Sequence, residues 1–122
     1  MGRRRFWHML EFDHIGLTSL VPRPGENWVE QSRCWVTNPH EHPERIEFLR
    51  YREDSPVPEV IRSNPHFAFR VDSLSEHIEG LEIIIPPFTV AGFAEVVFVR
   101  KYDAIFEYIV YLGGDWFGAG GS

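Results

Sequence analysis

The sequence predicts an α+β fold, mostly strand, made of two related halves. Three observations carry that reading. Short segments with strand-like alternation recur along the chain, a marked helix start stands in the second half, and both halves open and close on the same residue pattern. A length of 122 residues fits one domain, or two half-size modules sharing one core.

Taken in order, residues 12–18 (FDHIGLT) alternate as a strand, and 20–25 (LVPRPG) break it with two prolines. Residues 26–31 (ENWVEQ) suit a turn or two of helix. Residues 33–37 (RCWVT) form a strand, 38–44 (NPHEHPE) a loop, and 45–52 (RIEFLRYR) another strand. Three prolines mark 54–65 as a linker between halves. The second half opens with strand 66–71 (HFAFRV). Ser73 followed by Glu76 is a capping-box pattern, with Gly80 as the helix stop. Residues 81–85 (LEIII) make a strand closed by Pro86-Pro87. Residues 94–100 and 104–112 are strands joined by the hairpin turn Lys101-Tyr102-Asp103. A leader (1–9) and a tail (114–122) are expected to be flexible, although Trp116 and Phe117 could dock.

Composition narrows the function classes. Hydrophobic residues at 43% and charged residues at 25% exclude a disordered chain. A net charge of −6 argues against a nucleic-acid partner, which calls for a basic face. One cysteine, Cys34, excludes an internal disulfide framework and a zinc site built on thiolates; it reads as a small buried hydrophobe. No apolar run approaches the roughly twenty residues of a membrane span, and the basic start has no signal-peptide core behind it. The expectation is a soluble, cytoplasmic protein with no membrane partner.

The repeat is the most informative feature. Each half opens with a strand carrying a histidine, His14 or His66. Each closes with glutamate, aromatic, aliphatic, any residue, tyrosine: Glu47 to Tyr51, and Glu107 to Tyr111. Alternation puts Glu47, Leu49 and Tyr51 on one face and Ile46 and Phe48 on the other. Ile105, Ile109 and Tyr111 share the face of Glu107, while Phe106, Tyr108 and Val110 oppose it. His66 lies with Ala68 and Arg70, and His14 with Gly16 and Thr18. Every one of these strands therefore has an oily face and a mixed one, and the mixed faces read as the inside of a cup.

Two imidazoles and two carboxylates facing one cavity suit a divalent ion such as Ni, Zn, Mn, Fe or Co, with positions left for water or substrate oxygens. A cation also answers the repulsion between two inward carboxylates. A lone His or Glu is by default solvated, but a solvated residue has no reason to recur in phase. Tyr51 and Tyr111 read as pocket walls, Arg70 as a grip for an anionic substrate, and Arg50 as a rim residue. His40 and His42 read as solvated loop residues.

With these residues in hand, the chain resembles the glyoxalase / bleomycin-resistance / extradiol-dioxygenase (vicinal-oxygen-chelate) superfamily. FDHIGLTS resembles its first strand, PHFAFRVDSLSEHIEG its second-module opening, and RIEFLRY and AIFEYIVY its glutamate-bearing closing strands. The likeness covers residues 10–113. It implies two βαβββ modules, 10–53 and 65–113, in one cupped mixed sheet with the first module shortened. It also implies His14, Glu47, His66 and Glu107 as metal ligands, Glu47 or Glu107 as a catalytic base, and a homodimer. The function implied is isomerase, epimerase or lyase chemistry on a small carbonyl or vicinal-dioxygen compound. The alternative is a binding protein of the same fold that sequesters a small molecule, and the shortened first half and the aromatic load point that way.

Overall fold

The computed structural model describes residues 9–121, with side chains through residue 118. Eight strands form one mixed sheet: β1 (Leu10–Thr18), β2 (Asn27–Val29), β3 (Cys34–Val36), β4 (Ile46–Tyr51), β5 (His66–Val71), β6 (Glu82–Val90), β7 (Ala94–Lys101) and β8 (Ala104–Tyr111). Their order across the sheet is β2-β3-β4-β1-β5-β8-β7-β6. β1 runs parallel to β4 and β5 parallel to β8, while β1 and β5 pair antiparallel at the centre. The sheet curls into a half-barrel, and the helices are few: α1 (Glu59–Arg62) and α2 (Ser75–Ile78) are one turn each. This is an α+β cupped sheet. All of the expected leader except Met9 lies outside the described residues.

Residues 26–31 differ from expectation, holding strand β2 rather than a helical turn. The cause is cross-strand packing. Trp28 pairs with Trp35 of β3 at 4.6 Å between ring centroids, and the Arg50 guanidinium lies 4.1 Å above Trp35. Aromatic and cation–π contacts of this kind outweigh the weak helical preference of so short a segment. Arg50 is fixed from its other side by two hydrogen bonds to Glu26, each 2.8 Å.

In the second half the capping box does not form. Leu74 takes the cap position without a side-chain bond, while Ser73 Oγ lies 3.2 Å from Ser75 Oγ. β6 runs through Pro86-Pro87 instead of stopping there. It is an edge strand, and its pairing with β7 slips between Ile85 and Phe88, so the missing proline N–H groups interrupt no regular ladder. The β7–β8 hairpin turns on Tyr102 and Asp103 at φ 54° and 62°. Both values are left-handed, the twist that two-residue hairpins require. The expected linker holds α1, whose Ile61 is buried.

Alternation sorts the core. Val96, Phe98, Ile105 and Ile109 face one cluster with Val29, Val36, Ile61 and Trp116. Val97, Val99 and Tyr108 face the other, with Val71 and Leu74 at the start of α2. The tail is not loose at residue 116: Trp116 is 2% exposed and packs on Phe93 at 4.9 Å. An indole of that size has more to gain from burial than the short segment loses in chain freedom.

Candidate metal centre

Register places the four repeated residues. Gly16 of β1 lies opposite Glu47 of β4 on one side and His66 of β5 on the other. His14 lies opposite Ala68, which in turn lies opposite Glu107 of β8. Two rows thus cross the four central strands, each with two long polar side chains flanking a small residue. The small residues leave the space in which the long ones meet.

His14 Nε2 lies 3.4 Å from Glu47 Oε1 and 3.3 Å from Glu107 Oε1. His66 Nε2 lies 3.3 and 3.2 Å from the same two oxygens. One donor atom from each residue falls within 4.8 Å of all the others, and all four residues are buried. These four atoms have no hydrogen-bond partner. They lie at ion-pair distance from one another without hydrogen-bond geometry. Buried polar atoms are rarely left so. Donors about 2.1 Å from one ion stand about 3.0–3.4 Å apart along the edges of its shell, so the set fits a divalent cation. All four come from a single chain.

Electrostatics agree with a site built around charge. Burial alone would lower the His66 pKa, but the carboxylates of Glu107 and Glu47 outweigh it and hold the group at about 9. His14 is likewise raised, with burial opposed by Glu47, Asp13 and Glu107. Glu47 moves the other way: burial would raise it, and His14 and His66 bring it down to about 2.

A second layer, not visible from strand alternation, holds His14. Pairing slips between Phe12 and His14, so Asp13 is the extra residue of a β-bulge. The bulge lets adjacent residues both point inward, and Asp13 and His14 are both buried. Asp13 Oδ2 lies 2.6 Å from His14 Nδ1, fixing the ring so that Nε2 faces the centre. Tyr111 donates to Asp13 Oδ2 at 2.8 Å, and His40 Nε2 lies 3.1 Å from Asp13 Oδ1. His40 is tied to Asp115 as well, at 3.0 Å. Trp116 donates its indole N–H to Tyr111 at 2.7 Å and sets its ring edge-on to His14 at 5.3 Å.

Beside the centre is a cavity of about 70 Å³ lined by Glu47, Glu107 and Tyr51 with aliphatic and aromatic side chains. Tyr51 therefore stands where alternation put it. Burial, with Cys34, Glu47 and Glu107 nearby, keeps its hydroxyl protonated. Tyr111 does not line this cavity; its hydroxyl is engaged with Asp13 and Trp116, and its ring lines a separate hollow with His40, Arg70 and Asp115. Arg70 does not line the cavity either; it is exposed, with its guanidinium 5.5 Å over the Tyr111 ring. The tail residue Trp116 occupies the cup in place of the expected Tyr111. His40 is a bridging residue rather than a solvated one, whereas His42 stays in its loop and accepts from the Glu44 amide. Cys34 is fully buried, and burial pushes its thiol pKa up, so it is no nucleophile.

No family model matches the chain, and no curated protein does. A solved structure of a hypothetical protein from Bacillus halodurans is similar in fold, with a TM-score of 0.68 at 19% identity over 88% of this chain and 98% of that one. A likeness at that identity concerns the fold alone.

Proposed function

We propose that this chain is a metal-dependent enzyme of the vicinal-oxygen-chelate type, acting on a small carbonyl or vicinal-dioxygen compound by isomerase, epimerase or lyase chemistry. The observation that carries the proposal is the set of four buried donor atoms on His14, Glu47, His66 and Glu107, without hydrogen-bond partners, gathered beside a cavity. Strand order supports two related modules. Read outward from the central β1–β5 pair, it is β1-β4-β3-β2 on one side and β5-β8-β7-β6 on the other. The first module carries no helix between its first two strands, so only the second follows the βαβββ order.

A bound divalent ion would supply Lewis acidity toward a carbonyl or hydroxyl oxygen. The protein supplies the rest. Glu47 and Glu107 both border the cavity, so either carboxylate can take a proton from a carbon beside a carbonyl. The same carboxyl can return the proton to the neighbouring carbon, and Tyr51, held protonated on the same wall, can donate a hydrogen bond to a substrate oxygen. The apolar lining excludes water from the reacting atoms. Because one chain holds all four ligands, no partner subunit is needed to complete the site.

The apolar cavity also favours a second reading, a small-molecule binding protein without turnover. The two separate in one experiment. The metal-loaded protein, incubated with hydroxyketones in D2O, is expected to exchange the hydrogen on the carbon beside the carbonyl. Chelator and Glu47→Gln should each abolish that exchange. Stoichiometric binding that survives chelator, with no exchange, supports the binding protein and contradicts the enzyme.

A further inference from the structure

The cavity beside the four ligands has a chemical bias of its own. Apart from Glu47 and Glu107, none of its described lining residues is charged; besides Tyr51 and Trp116, the uncharged polar ones are Gln31 and Ser32, which stand where Val57, Ile85 and Phe88 connect it to an outer hollow. Among the described residues, no lysine or arginine reaches it. The only cationic candidate on the neighbouring strand, Arg70, is turned away over Tyr111. Two glutamate charges offset those of a divalent ion, so the loaded centre presents no net positive charge to a ligand. Asp13 behind His14 adds a further negative charge. A carboxylate entering this space would lose its hydration without gaining a counter-ion. A free volume of about 70 Å³ is also small. An apolar cavity of about 150 Å³ takes one benzene, so by proportion this one suits a body of about three carbons.

We propose that the cavity selects a small uncharged hydroxycarbonyl compound with a short apolar body, entering past Val57 and Phe88, and discriminates against carboxylates. The proposal rests on the metal-centre reading above and narrows its substrate class.

The test uses Mn²⁺-loaded full-length protein with two probes of nearly the same shape. Acetoin is uncharged; lactate has a carboxylate oxygen in place of one of its methyl groups. Binding is followed by water-proton relaxation of the bound Mn²⁺ and by calorimetry. Acetoin is expected to bind at least tenfold more tightly than lactate. Val57→Trp, at the mouth, is expected to weaken acetoin at least tenfold while leaving Mn²⁺ affinity unchanged. Equal or tighter lactate binding overturns the proposal, as does the absence of acetoin binding to protein that holds Mn²⁺. Unaltered acetoin binding in Val57→Trp overturns the entry route. Failure to hold Mn²⁺ at all overturns the metal-centre reading, and this one with it.

Discussion

Gly16 faces His66 across the β1–β5 ladder, and the imidazole occupies the place where a β-carbon on residue 16 would stand. A methyl group there meets the ring at Cε1, Nε2 and Nδ1. Since the ring is buried and cannot swing into solvent, Gly16→Ala has to displace it from the centre. The expected cost is about 1–3 kcal/mol of folding stability, the usual range for overpacking. Metal affinity should fall at least tenfold. Denaturant unfolding and metal titration of the one variant read both effects.

Asp13 owes its inward position to the bulge in β1, and its carboxylate fixes the tautomer of His14. Asp13→Asn should lower metal affinity about 10–100-fold, the range found when such supporting carboxylates are removed. Tyr111→Phe removes one hydrogen bond from Asp13 but leaves His14 and His40 beside it, so a smaller loss is expected. Calorimetric titration of both variants with one metal tests the ranking.

Trp116 joins the tail to the site through its ring against His14 and its N–H on Tyr111. Trp116→Ala should destabilise the fold by about 3–5 kcal/mol, as for other buried aromatics. It should also admit water to the cavity. Trp116→Phe keeps most of the apolar contact but loses the hydrogen bond, so the expected cost is smaller. Urea unfolding of the two variants separates packing from the polar contact.

Charge at the centre predicts a pH profile for the metal-free protein. His66 is raised from 6.5 to about 9, so its stabilising contribution is complete below 6.5 and is lost as pH rises through about 9. Glu47 is lowered from 4.5 to about 2, so its contribution is present above 4.5 and is lost as pH falls through about 2. Because metal must displace the His66 proton, affinity should rise with pH up to about 9. Thermal unfolding in chelator from about pH 5 to pH 10, repeated with metal, should show an alkaline loss that metal suppresses.

Much of the site was legible because strands impose a period of two. The placement of Glu47, Leu49 and Tyr51 on the cavity, and of Ile105 and Ile109 on the same side of β8 as Glu107, follows directly from alternation. Asp13 was not legible, since a bulge breaks that period and nothing local in FDHIG announces one. Its only sequence signal is an acidic residue beside a candidate ligand. His40 and Trp116 meet the site by long-range closure of a loop and the tail, which no local pattern encodes. The absent first helix has a similar cause: the Trp28–Trp35 pair exists only once β2 and β3 are adjacent. In β6, the prolines read as a stop because edge position is a property of the whole sheet.

The central claim is that His14, Glu47, His66 and Glu107 hold one divalent ion between them. Isothermal titration of chelator-treated protein with Mn²⁺, Zn²⁺ and Ni²⁺, alongside His66→Ala and Glu47→Gln, tests it most directly. The wild-type protein should bind one equivalent, and each variant should lose affinity by at least a hundredfold. No binding by the folded wild-type protein, or binding that both substitutions leave unchanged, would contradict it.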